Sequence, residues 1–203
     1  MVLPPAWVAV AVCAKQGFFM NDQNQVIIDS AISFAEAIEG TTAPMEVIDS
    51  LSLIDVLYYS FDERRHQGQI LVDAALEDDI YEIFLMIEEL KFPVGKVIPI
   101  VAYKWDDEAS MSDNNSSSFN FRVIADTNKL SLHSFGRAVD INPVQNPVIY
   151  PAGLIAPEGA VYRPKDRGAF FASHPVVREF LRRGWHWGGN FDQPKDYHHF
   201  EKT

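Results

Sequence analysis

The feature that most restricts this chain is a carboxylate set inside an apolar run, Ala138-Val-Asp-Ile-Asn142. The flanking residues read as a buried strand, and a carboxylate carried into such a strand is costly unless something pairs with it. Metal coordination is one way to satisfy Asp140. Just upstream, in Ser131-Leu-His-Ser-Phe-Gly-Arg-Ala-Val-Asp140, His133 stands seven residues before Asp140 with Gly136 between them. A second dense stretch closes the sequence, Asp196-Tyr-His-His-Phe-Glu201, and the two together hold three of the six histidines.

Taken singly, His133 fits an ordinary loop histidine and Asp140 a hydrogen-bond acceptor bracing the loop before it. Taken together they read as a ligand set. A catalytic zinc takes three protein ligands and keeps a fourth position for water. His133 and Asp140 supply two, and Asp196-x-x-His199 can supply the third together with a base. Neighbours on a strand face opposite ways, so on a regular strand His198 would share a face with Asp196. Asp196 therefore has to precede the final strand or sit at a bend, which nearby Pro194 suits. Spacing alone leaves both His198 and His199 open as ligands, and Glu201, on the face of His199, is an alternative base.

The two motifs resemble those of the zinc D-alanyl-D-alanine carboxypeptidases and related peptidoglycan peptidases of the VanY/VanX type. That family carries S-x-H-x-x-G-x-A-x-D followed, tens of residues later, by D/E-x-x-H. The first motif is matched at Ser131, His133, Gly136, Ala138 and Asp140, and the second at Asp196 and His199. Gly184-Trp-His-Trp-Gly-Gly189 with His199-Phe200 resembles the L-alanyl-D-glutamate endopeptidase branch. The resemblance runs from about Phe119 to the end.

What the resemblance implies is a hedgehog/D-Ala-D-Ala peptidase-like fold with Zn2+ on His133, Asp140 and His199, leaving His198 to support from outside. It makes Asp196 the general base and puts an upstream arginine on the substrate carbonyl. Arg122, in Phe119-Asn-Phe-Arg122, takes that place where the family has G-Y-R-S/T; Arg137 is the competing cation. Ser131 and Trp187 are carried as substrate-binding candidates, although Trp185 and Trp187 serve equally as core aromatics or as a pocket wall. The implied substrate is a peptidoglycan stem peptide, cut either as a D-alanyl-D-alanine carboxypeptidase or as an L-alanyl-D-amino-acid endopeptidase, in the cell envelope or outside the cell. Two readings from other classes stand beside it: a zinc-holding binding module of the same fold, as in hedgehog-type signalling domains, and a metal-free hydrogen-bonded cluster. His66, His174 and His186 lack an acid at ligand spacing.

Composition sets the bounds. The 203 residues, 47% of them hydrophobic, can bury one sizeable core, so we expect a single domain over 21–203 after a poorly defined segment 1–20, acting as a monomer. A net charge of −11 speaks against nucleic acid as partner. The single cysteine, Cys13, excludes an internal disulfide framework, and no apolar run reaches the roughly 20 residues of a spanning helix. Trp7-Val-Ala-Val-Ala-Val-Cys13 is apolar enough for a short signal core, but no lysine or arginine precedes it; a first strand or a loose tail is the plainer reading.

In chain order, apolar spacing predicts a helix over 26–38 and another over 78–90, with strands over 54–61, 66–72, 97–103, 119–124, 138–141 and 197–202. Residues 104–118 read as a long polar surface loop and 142–166 as a proline-rich connection. A helix over 174–183 is capped by Ser173 and stopped by Gly184. Helices early and strands late suggest α+β, a small antiparallel sheet with helices on one side.

Overall fold

The computed structural model describes residues 25–125 and 127–203; the segment 1–20, with its apolar run and Cys13, lies outside them. The chain opens with β1 (Ile27–Ile28), α1 (Phe34–Ala37) and α2 (Met45–Ile48), then forms a long hairpin from β2 (Leu51–Tyr59) and β3 (Arg65–Asp73). β1 lies parallel to β3 on the side away from β2, giving the order β1-β3-β2. α3 (Glu77–Glu89) covers this hairpin with Ile80, Ile83, Phe84 and Ile87, all buried at helical spacing.

The middle of the chain carries β4 (Lys96–Val97), α4 (Asp107–Ser112) and β5 (Asn115–Ser116), with β4 and β5 paired in parallel. The last third holds β6 (Ala138–Asp140), β7 (Val148–Ile149), β8 (Ile155–Ala156), α5 (Pro175–Arg182), β9 (His186–Trp187), β10 (Lys195–Asp196) and β11 (His199–Glu201). β11 is the middle strand of the antiparallel sheet β6-β11-β9, while β10 belongs to a separate sheet, β10-β7-β8.

One hydrophobic cluster joins the early and late parts: Ile54, Val72, Ile83 and Ile87 share it with Val139, Phe180, Trp185 and Phe200. Phe180 of α5 stacks on Phe200 of β11 with ring centres 3.9 Å apart, and Trp187 joins from β9. At the rim, Arg183 meets Asp79, Glu82 and Glu179. Lys202 also reaches Asp79, at 2.7 Å, so α3, α5 and the end of the chain are tied at one point.

The fold is mixed α+β, but several local expectations give way. The strands divide among four small sheets among the described residues, and two of these contain a parallel pair. The expected helix over 26–38 becomes β1 and the short α1, because Asp29 N–H bonds the Gln67 carbonyl and Ser33 forms a capping box with Glu36. The expected strand 97–103 ends at Val97 and turns into a 3-10 helix, Ile100–Tyr103, entered at Pro99. His174, not Ser173, caps α5. Residues 119–124 contribute only a bridge between Val123 and Leu130.

The largest correction concerns 104–118. Instead of a surface loop it holds α4 and then a buried polar run, Asn115-Ser-Ser-Ser118. Asn115 exchanges hydrogen bonds with the backbone of Ile98, and the Ser116 hydroxyl accepts from Asn142 N–H. Ser117 pairs with Asp140 through both backbone bonds, so this run becomes the wall behind β6.

Candidate active site

β6 and β11 run antiparallel with His199 directly opposite Asp140, which puts both side chains on one face of the sheet. His133 comes from the 3-10 turn Leu132–Phe135 just before β6. Ser131 caps that turn by accepting the His133 N–H, and Gly136 closes it at φ +64°. The turn is compact enough for Gly136 N–H to bond the His133 carbonyl. His133 thereby faces the ends of β6 and β11.

Three donor atoms converge. His133 Nε2 lies 3.1 Å from Asp140 Oδ2 and 3.2 Å from His199 Nδ1, and His199 Nδ1 lies 2.9 Å from Asp140 Oδ1. Among the described residues this is the one group of three such side chains placed to hold a metal ion. Four ligands about 2.0–2.1 Å from a tetrahedral ion are separated by roughly 3.3 Å, close to the spacing found. The outer nitrogens are engaged as well. His133 Nδ1 donates to the Ser118 carbonyl at 2.6 Å, and His199 Nε2 meets Glu201 Oε2 at 3.0 Å. A neutral ring with its proton on the outer nitrogen would turn the lone pair of His133 Nε2 or His199 Nδ1 inward, as metal-ligating histidines require.

The electrostatics say that this face wants positive charge. Burial works against the charged form of Asp140, yet the His133 and His198 charges, with hydrogen bonds from His133 and His199, hold its carboxyl well below the usual range. Burial likewise pulls His199 down, but Asp140 and Glu201 outweigh it and lift the ring to about 10. Glu201 is lowered first by its bond to His199. Its carboxylate is thus engaged on the His199 ring.

Asp196 stands in β10, outside the final sheet, as the strand-facing argument requires. It approaches so closely that a Cβ on Gly188 would lie 2.4 Å from the Asp196 carbonyl oxygen. Asp196 Oδ1 is buried without a hydrogen bond and lies 3.0 Å from His198 Nε2. His198 itself is buried and donates from Nδ1 to the Asn146 carbonyl at 2.7 Å. It sits behind Asp196, with the Asp140 carboxylate 3.9 Å away.

The remaining candidates separate. Arg122 is locked by its backbone against Ser131 and Ser134, which hold the His133 turn. Its guanidinium pairs with Asp107 at 2.9 Å, while Nε is buried without a hydrogen bond. Arg137 is turned elsewhere, onto Asp73 and the Lys202 carbonyl. Ser131 is buried with its hydroxyl committed to the turn. Trp187 is a core residue, only 2% exposed and bonded through Nε1 to the Tyr197 carbonyl, so of its two readings the structure takes the core one; Trp185 does the same with Asp79.

Sequence reasoning missed Asp107, the Ser118 carbonyl and the Asn146 carbonyl. The carbonyls carry no side-chain signal. The density of Asn and Ser between two apolar stretches was the available hint for 113–118.

No curated protein and no solved structure matches the chain. A family model does match, over residues 125–202, and its description is D-alanyl-D-alanine carboxypeptidase. The matched stretch is the one that supplies His133, Asp140, Asp196 and His199.

Proposed function

We propose that this chain is a zinc-dependent peptidase acting on peptidoglycan stem peptides, with residues 21–203 as one hedgehog/D-Ala-D-Ala peptidase-like domain. The observation that carries the reading is the convergence of His133 Nε2, Asp140 and His199 Nδ1 within 4.8 Å of one another, inside the segment that matches the family. His133, Asp140 and His199 would hold the zinc, which when bound would supply a Lewis acid able to activate water at near-neutral pH. Asp196 would take a proton from the attacking water and return it to the leaving amine. Arg122 holds the substrate carbonyl and meets the negative charge that develops on it, an interaction that strengthens in the transition state. Glu201 and the Ser118 carbonyl keep the two ligand rings in register. Such a substrate implies work outside the cytoplasm; among the described residues no helix is long and apolar enough to cross a membrane.

The test is hydrolysis of purified muropeptides, read by mass spectrometry, for wild type and Asp196→Ala with zinc content measured in both. Expected is cleavage by wild type and none by Asp196→Ala at equal zinc, with the product naming the bond. Zinc in both proteins with no cleavage by either overturns the peptidase reading in favour of a zinc-holding binding module. Wild type that takes up no zinc leaves the metal-free cluster.

A further inference from the structure

We infer that Asp107 is a positioning residue for Arg122, fixing one edge of the guanidinium so that its remaining donors face the substrate. The inference rests on the carbonyl-binding role given to Arg122 above. Asp107 is the first residue of α4, in the stretch that polarity alone assigned to a surface loop. Its Oδ2 lies 2.9 Å from Arg122 Nη2, and its Oδ1 accepts from Asn120 Nδ2 at 3.2 Å. Asp107 is therefore itself held, by a residue two positions before the arginine it holds. The Arg122 backbone is pinned independently: its N–H bonds the Ser134 hydroxyl at 2.9 Å, and its carbonyl accepts from Ser131 N–H and the Ser134 hydroxyl.

A long side chain fixed only at its backbone keeps its rotamer freedom, and ordering it in the transition state costs free energy. The Asp107 contact removes that freedom beforehand. It also occupies only one side of a five-donor fork. The Arg122 side chain is 31% exposed, yet Nε is buried without a partner. It is the exposed part of the fork, beside the buried Nε, that an incoming acceptor reaches, and a substrate carbonyl is an acceptor of the right kind. The carboxylate also balances part of the arginine's charge, so the fork presents hydrogen-bond direction more than bare charge.

The test uses the full chain loaded with zinc: wild type, Arg122→Ala, Asp107→Ser, Asp107→Asn and Arg122→Ala/Asp107→Ser. Each is assayed for kcat and KM on muropeptides with and without millimolar guanidinium, beside zinc content and thermal midpoint. Serine is chosen because it suits the first turn of a helix, and asparagine because it keeps an acceptor. Arg122→Ala should lose about a hundredfold in kcat and recover part of it with guanidinium, which Asp107 captures. The double variant should recover nothing. Asp107→Ser should lose roughly tenfold in kcat with KM and zinc content little changed, and Asp107→Asn less. The inference is overturned if guanidinium rescues the double variant as well as the single one, or if Asp107→Ser keeps wild-type kcat. If Arg122→Ala itself is fully active, it is the assignment of Arg122 that fails.

Discussion

Replacing Gly136 by alanine should damage this protein far more than the added methyl suggests. The residue stands at φ +64°, where an L side chain costs about 1–2 kcal/mol. The new Cβ would lie 2.5 Å from the Asp73 amide nitrogen and 2.8 Å from the Val72 carbonyl carbon. Both are backbone atoms of β3 and cannot rotate away, unlike the Leu51 methyl, also at 2.8 Å. Relief means pushing the His133 turn off the strand, which stretches the 2.9 Å bond from Asp73 N–H to the Gly136 carbonyl. Overpacking of this kind adds about 1–3 kcal/mol and the weakened bond about 1 kcal/mol. A loss of about 4 kcal/mol lowers the midpoint of a domain this size by roughly 10 °C. Gly153 provides the control: its φ is +80°, but a Cβ there meets nothing within 4 Å, so Gly153→Ala should cost only about 3 °C. Calorimetry on both variants, with bound zinc quantified, tests this. Gly136→Ala melting no lower than Gly153→Ala would refute the argument that β3 dictates a glycine in the motif.

Two further predictions concern the metal and the acid limb. Chelating zinc should lower the stability of wild type, and with it the melting temperature, by about 4 kcal/mol of free energy when free zinc had stood a thousandfold above its dissociation constant; His133→Ala, lacking one of the proposed donors, should show no comparable drop in calorimetry. Glu179 is held down to about 2, first by its hydrogen bond from Arg182 and then by Arg183. A depressed carboxyl contributes stability above its unfolded value, lost as pH falls through the folded one. Denaturant melts of Glu179→Gln should therefore show less loss of stability than wild type between pH 4.5 and about 2, and parallel curves would count against the ion-pair account.

How much of this was legible in the sequence depends on whether a signal was local. α3 was readable because Ile80, Ile83, Phe84 and Ile87 repeat at helical spacing and all face the core. Asp140 was readable because an acid between Val139 and Ile141 has no cheap place to go. The 104–118 stretch was misread because polar residues usually face water, whereas here Asn115 and Ser116 satisfy backbone groups of Ile98 and Asn142. Those partners lie 17 and 26 residues away, beyond any local pattern. Asp196 was placed correctly before the final strand, but that it belongs to another sheet, beside β7, is a tertiary fact. The pairing of Arg122 with Asp107 is of the same kind.

β11 being the middle strand of its sheet has a consequence for the order of assembly. β6 and β9 are both synthesised before it, yet neither can pair with the other until residues 199–201 slot between them. The hairpin with α3 can collapse earlier on its own contacts. His133 and Asp140 then wait, two donors without a third, until β11 is made and arrives carrying His199. A chain stopped before that point is left with an open sheet and two of the three converging donors, so the donor set is completed late and all at once.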